Sequence, residues 1–144
     1  MTRPAQSPSW EVQSSIYNLL KDDATLLAAL PGGLFDYVPE RATFPYGVYS
    51  DMDGKPWDTT TEYGDELIVQ IGVFSRAEGR KEAKTAQRRI DVLLHDGEAA
   101  LRAEGVLTGH HLVSIRKILE TVVKEPDGQH YHGVQQFRVI TEEI

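Results

Sequence analysis

Glu66-Leu67-Ile68-Val69-Gln70-Ile71-Gly72-Val73-Phe74-Ser75 is the stretch on which the fold turns. Successive strand residues point to opposite faces. Leu67, Val69, Ile71 and Val73 therefore share one face, and Ile68, Gln70, Gly72 and Phe74 share the other. The first set is uniformly apolar and predicts a strand lying on a core. The segment that follows, Glu78 to Leu94, changes period: Ala83, Ala86, Ile90 and Leu93/Leu94 recur at helical spacing, with Lys81, Lys84 and Arg88 on a separate basic stripe. Ser75-x-x-Glu78 matches a capping box, but Gly79 in the first turn moves the expected start to just after it.

Upstream, Ser9 is the expected N-cap of an amphipathic helix from Trp10 to Lys21, with Trp10, Ile16, Leu19 and Leu20 as its apolar set. Asp22 or Asp23 caps a short second helix, which Pro31-Gly32-Gly33 stops. Leu34 to Val38 reads as a short strand or extended segment, and Phe44 to Tyr49 as a strand with Pro45 at its start. The Asp/Gly/Pro/Thr-rich stretch Asp51 to Asp65 is either a functional loop or partly an extended hairpin.

Downstream, Glu98 to Gly109 is a polar connection with some helical tendency. Leu112 to Val123 reads as a long strand whose alternation slips near Arg116-Lys117, marking a bulge or an edge. Glu125-Pro126-Asp127-Gly128 is a turn, and His130 to Thr141 returns to complete a hairpin. The order helix, strands, helix, strands predicts an α+β fold, a mostly antiparallel sheet with helices packed on one face, in a single domain spanning 1–144 with residues 1–9 flexible.

The 144 residues are 40% hydrophobic and 26% charged, enough for one cored domain. Without cysteine there is no disulfide, thiol nucleophile or cysteine–zinc site. No apolar run approaches the roughly 18–20 residues of a membrane span, and Met1 to Ser9 lacks the apolar stretch of a signal peptide, so a cytoplasmic protein is expected.

The net charge of −7 is unevenly placed. Arg76, Arg80, Lys81, Lys84, Arg88 and Arg89 against Glu78 and Glu82 make one segment +4, leaving −11 elsewhere. Asp51, Asp53, Asp58, Glu62, Asp65 and Glu66 against Lys55 make another −5. These acids have no spacing that supports a metal-dependent nuclease, and a solvated acidic loop is the simpler account. The basic stripe is a solvated helix face, a phosphate contact, or the complement of the acidic loop on an identical neighbour. The last would be a head-to-tail contact of the kind that closes rings. Trp57 and Tyr63 are interface anchors or covers for a sheet edge.

Hydrolase, nucleotide-binding, zinc-protease and EF-hand motifs are missing, so an enzyme is not expected. The one weak metal candidate is His110, His111, His130 and His132, if the hairpin brings the two pairs together. Half-exposed histidines on a strand surface are the commoner outcome, and no cofactor is expected. The rival functions are thus a metal-binding enzyme on these histidines and a small nucleic-acid-binding module on the basic helix.

An ordered series of short motifs along nearly the whole chain resembles the tailed-phage tail-completion, or head-to-tail joining, proteins. These have relatives in prophages and gene transfer agents. The series comprises Leu19-Leu20-Lys21-Asp22-Asp23 with Leu26 and Leu30, Val38-Pro39, Phe44-Pro45-Tyr46-Gly47-Val48, and Pro56-Trp57-Asp58-Thr59. It continues with Val73-Phe74-Ser75-Arg76, Gly79-Arg80-Lys81-Glu82-Ala83, Leu93-Leu94-His95-Asp96, Pro126-Asp127-Gly128, Tyr131-His132-Gly133-Val134 and Phe137-Arg138. The family often has Trp where Phe74 stands.

The resemblance implies a small α+β subunit forming a ring, expected to be a hexamer, at the head-proximal end of the tail tube. The ring ends tail polymerisation and meets the head connector or stopper. Its partners are further copies of itself, the tail tube protein and the connector. DNA passes through the ring without direct contact, and no membrane is involved. The expected location is the host cytoplasm during assembly and then the tail of a phage or gene transfer agent particle. The family brings no catalytic residues. Asp51, Asp53, Trp57, Asp58, Tyr63, Arg76, Arg80, Lys81, Lys84 and Arg88 are the expected contact residues, proposed from the charge pattern.

Overall fold

The computed structural model of the chain describes residues 7–105 and 107–144, with the side chains of all of these except positions 51 and 52. Helices α1 (Ser9–Lys21) and α2 (Ala24–Ala29) are followed by β1 (Leu34–Phe35), β2 (Tyr46–Pro56) and β3 (Gly64–Ser75). Then come α3 (Lys81–Leu94), α4 (Glu98–Glu104), β4 (His110–Lys124) and β5 (Tyr131–Glu143). The strands form one five-stranded sheet in the order β1-β2-β3-β5-β4. β1 runs parallel to β2, and every other pair is antiparallel. This is the expected α+β architecture.

β3 lies in the middle of the sheet, and its four apolar residues do what their spacing dictates. Leu67, Val69, Ile71 and Val73 are buried, paired across β5 with Val139, Phe137, Gln135 and Gly133. Val12, Ile16 and Leu20 of α1 join this core, with Ala83, Ala86, Ile90 and Leu94 of α3 and Leu101 of α4. Each fully buried aliphatic or aromatic side chain contributes about 1.5–3 kcal/mol. α3 passes close over the sheet because the facing positions are small. A Cβ on Gly133 would stand 2.6 Å from Gln87 Nε2. Gln87 and Gln135, both buried, then tie three elements together. Gln87 Nε2 donates to the Thr121 carbonyl of β4 at 2.9 Å, and Gln135 Nε2 donates to the Gln87 carbonyl at 2.9 Å.

The structure corrects some local expectations and decides others. Ser9 is the first helical residue and not the N-cap; Pro8 holds that position without a side-chain bond. Trp10 leaves the apolar stripe and is 69% exposed, because it lies out of helical phase with Val12, Ile16 and Leu20. The expected flexibility of residues 1–9 falls mostly on residues 1–6, outside those described, while Ser9 opens α1. The Ser75–Glu78 capping box does not form. Gly79 takes φ 94° and α3 starts at Lys81. Ser75 Oγ instead donates to Glu82 Oε1 at 2.7 Å and accepts from the Ala77 N–H at 3.1 Å. Asp51 to Asp65 is mostly hairpin: β2 runs on to Pro56, and Pro56 pairs with Asp65. The slip in β4 is both a bulge and an edge. Register shifts fall at Leu112/Ser114 and Lys117/Leu119 on the outermost strand.

Of the two candidate caps, Asp23 serves α2, its Oδ2 accepting from the Leu26 N–H at 2.8 Å. The same carboxylate receives Arg89 of α3 through both oxygens, at 2.8 and 2.7 Å. Those bonds from Arg89 hold the Asp23 carboxyl below the ordinary aspartate range. Asp23→Ala is therefore expected to cost about 2 kcal/mol, combining a lost cap with a lost two-pronged ion pair, as measured by denaturant unfolding. Because the folded-state pKa is depressed, this contribution is present above the ordinary aspartate pKa and disappears as pH falls through the lower folded value. The wild-type and Asp23→Ala stabilities should converge in that acid window.

Pro31-Gly32-Gly33 does more than stop α2. The Gly32 N–H donates to the Pro45 carbonyl at 3.0 Å, and a Cβ on Gly32 would lie 1.7 Å from the Thr43 carbonyl oxygen. No side-chain rotation relieves a clash with backbone. Gly32→Ala is expected to destabilise by more than about 3 kcal/mol, and a thermal melt within about 2 °C of wild type would refute the close approach.

Candidate functional site

The acidic stretch becomes the β2–β3 hairpin, and its charges are less free than the sequence count implies. Asp65 and Glu66 are buried. Glu66 lies between Lys55 Nζ at 3.3 Å and Arg138, whose Nε and Nη2 donate to Oε2 at 2.8 and 2.7 Å. Its hydrogen bond to Arg138 holds the Glu66 carboxyl below the usual glutamate range. Asp58 Oδ1 accepts from the Gly64 N–H at 3.2 Å and so braces the turn. The described acids left pointing outward are Asp53, Asp58 and Glu62.

Trp57 sits at the root of this turn, 45% exposed, with the Arg138 guanidinium 4.9 Å from its ring centroid. It thus covers part of the sheet and still offers a face to solvent. Tyr63, across the turn, is half-buried, and its carbonyl accepts from the Glu143 N–H at 2.9 Å. Asp51 belongs to β2 and pairs with Val69.

The basic segment also divides. Arg76 packs its guanidinium 4.1 Å from the Phe44 ring and donates from Nε to His130 Nε2 at 2.9 Å. Arg80 lies 5.2 Å over Tyr131, and Arg89 is held by Asp23. Lys81, Lys84 and Arg88 remain exposed along α3. The two surfaces lie apart on the subunit. α3 follows Ser75, which pairs with Tyr131 at one end of the sheet, while the hairpin turn follows Pro56 at the opposite end.

The histidine cluster does not form. β4 and β5 are antiparallel, so His110 pairs with Glu143 at one end of the hairpin and His132 pairs with Val123 at the other. The chain order that placed both pairs near strand starts is what separates them, since the two strands start at opposite ends. Each histidine has a local role instead. His130 Nδ1 meets Asp127 Oδ2 in the turn, His132 Nδ1 lies 3.3 Å from Glu125, and His111 Nε2 lies 3.3 Å from Glu142. His110 is buried. Among the described residues no group of three or more His, Cys, Asp or Glu side chains is placed to hold a metal ion. No described helix is long and apolar enough to cross a membrane.

Sequence reasoning missed an aromatic row at the Ser75 end. Phe74 stacks on His132 at 4.2 Å and on Tyr46 at 5.3 Å, and Phe44 meets Tyr46 and His130 at 5.0 and 5.3 Å. Beside it, Val38 to Ala42, Phe44, Tyr46 and Arg76 line an open cleft of about 470 Å³. A second, more apolar pocket of about 220 Å³ lies among α1, α4 and β4, lined by Val12, Ile16, Leu101, Leu107 and Leu112 among others. The signal for the aromatic row was in the sequence, as aromatic residues at alternate strand positions, but the register that aligns them is tertiary.

These features make a surface suited to contacts between proteins: a braced hairpin with a half-exposed tryptophan, a lysine–arginine stripe, and no assembled catalytic group among the described residues. The fold is similar to that of a chain in the virion of a native gene transfer agent particle, with a TM-score of 0.83 at 21% identity over 96% of this chain and 99% of that one. It is also similar to bacteriophage SPP1 gp17 protein, with a TM-score of 0.55 at 18% identity over 91% of this chain and 88% of that one. Curated proteins include no match to it. The family model described as tail completion protein gp17 matches residues 14–142. The chain belongs to the gp17 tail completion protein family.

Proposed function

We propose that this protein is a structural subunit of a phage or gene-transfer-agent particle. In this reading, copies close into a ring, hexameric in our proposal, at the head-proximal end of the tail tube. The ring ends tube polymerisation and presents a surface to the head connector or stopper, with DNA passing through it. The subunit is made in the host cytoplasm and ends in the tail of the particle. It needs no cofactor and carries out no catalysis. The observation that carries this reading is the family match over residues 14–142. The likeness in fold to a chain of a gene transfer agent virion supports it.

The contact proposed between neighbours is the β2–β3 hairpin of one subunit against α3 of the next. Asp53, Asp58 and Glu62 on the β2–β3 hairpin and Lys81, Lys84 and Arg88 on α3 lie toward opposite ends of the sheet and carry opposite sign. Unlike patches on separate parts of one molecule suit a head-to-tail contact that a rotation can close. Trp57, held under Arg138 and half-exposed, supplies the apolar anchor. Charge complementarity of this kind sets register and excludes wrong partners more than it adds affinity.

Replacing Lys81, Lys84 and Arg88 together by Glu leaves the buried face of α3 untouched, so circular dichroism and melting should stay close to wild type. Joined particles, counted by electron microscopy after complementation, should fall by about tenfold or more, because like charges then face each other across the contact. Tails of abnormal length or without heads would mark the terminator role. Normal particle yield from the triple variant would sink the electrostatic contact.

A further inference from the structure

The two edges of the sheet are treated differently. Along β2, β1 covers Gly47 and Val48, and the remaining rim has a bulge between Asp51 and Asp53, then Gly54 and Pro56. A bulge and a proline both discourage another strand from adding there. The first half of β4, at the opposite edge, is capped by the α3–α4 region. The Ile115 N–H donates to Glu98 Oε1 at 3.1 Å, and its carbonyl accepts from the Asp96 N–H at 2.9 Å. The Lys117 N–H donates to His95 Nδ1 at 3.0 Å. Past the bulge at Lys117/Leu119, no described strand lies outside Ile118 to Lys124. That half exposes Ile118, Leu119 and Val123 by 51%, 41% and 51%, on a strand where a solvated edge would carry polar residues.

The direction of its backbone groups follows from the turn. In an antiparallel ladder, alternate residues turn both N–H and C=O toward the partner. The Glu125 N–H donates to the His130 carbonyl at 2.8 Å, so Val123 and Thr121 face β5, and Lys124, Val122 and Glu120 face outward.

We propose that Glu120 to Lys124 pairs antiparallel with the same segment of a second copy, about a two-fold axis at Val122, making one continuous sheet across a dimer. In this register every outward-facing residue is used. Val122 meets its own copy, and Glu120 of each chain stands opposite Lys124 of the other. Opposite charges directly across a strand pair are favourable. Glu120 Oε1 already takes Lys117 Nζ at 3.3 Å and Gln135 Nε2 at 3.0 Å, which fixes the carboxylate on the face that Lys124 of the second copy reaches. Sliding the register by two residues sets Glu120 against Val122 and Lys124 against Ile118 at the bulge, and loses both charge pairs. The contact is isologous and belongs to the free subunit, so it does not depend on the ring. Five residues a side make a small interface, and the dissociation constant should be on the order of 100 µM.

Sedimentation equilibrium of the full chain from about 10 µM to about 1 mM tests this, that range bracketing the expected constant. The expected result is a monomer–dimer equilibrium. Lys124→Glu should weaken it about tenfold or more by setting Glu opposite Glu twice, and Glu120→Lys combined with Lys124→Glu should restore it. Amides of Val122 and Lys124 should gain hydrogen-exchange protection with concentration. A chain monomeric throughout the range overturns the proposal, as does a dimer indifferent to Lys124→Glu. Association straight to a hexamer overturns it as well while favouring the ring, and a dimer with normal ring assembly keeps both.

Discussion

Everything in this protein hangs on burial of one face of the sheet. Val69, Ile71 and Val73 on β3 and Phe137 and Val139 on β5 are completely shielded, and α3 meets them with Ala83, Ala86 and Ile90. Two of those three helix residues are alanines, and Gly133 has no side chain, so α3 and the sheet approach closely enough for Gln87 to bond β4. A larger residue at any of these points would separate the layers and leave Gln87 and Gln135 without their backbone partners. Shape and polar bonding are thus one constraint, because the buried amide N–H groups of Gln87 and Gln135 find their acceptors only at this close approach.

The face opposite the helices and the two sheet edges follow from that choice. With the helices on one side, the Tyr46–Phe74–His132 row is left on the other, where Phe44 joins it at Tyr46 and carries Arg76 over its ring. The chain then spends charged residues on bracing. Arg89 fastens α3 to the cap of α2, and Arg138 fastens the hairpin by gripping Glu66 and covering Trp57. Within the two charged segments, the acids left outward on the β2–β3 hairpin are Asp53, Asp58 and Glu62, and the stripe exposed along α3 is Lys81, Lys84 and Arg88. Rigid placement of a few charges discriminates between partners better than many mobile ones.

The histidines show how connectivity can defeat a plausible local inference. His110-His111 and His130-x-His132 each stand near the start of a strand, but strands joined by a hairpin start at opposite ends. Proximity needed parallel strands or a different crossover. The acidic stretch misled in a milder way: it is polar because one side of a hairpin and its turn are polar, and its Glu66 is neutralised by Arg138, distant in sequence.

The sequence by itself determined the elements and their order. The period-two run at Leu67 to Val73, the helical run at Ala83 to Leu94, the Pro126-Asp127-Gly128 turn and the Asp23 cap are local signals, each set by backbone geometry within a few residues. It also excluded thiol chemistry and carried the family resemblance. Only the tertiary structure decided which strands are neighbours, that β5 lies between β3 and β4, and that β4 therefore forms an edge. It decided that Glu66 belongs to Arg138 and Asp23 to Arg89. Those pairings span 72 and 66 positions of chain, and no periodicity reports them, because they are fixed by the register that the buried face imposes on the whole sheet.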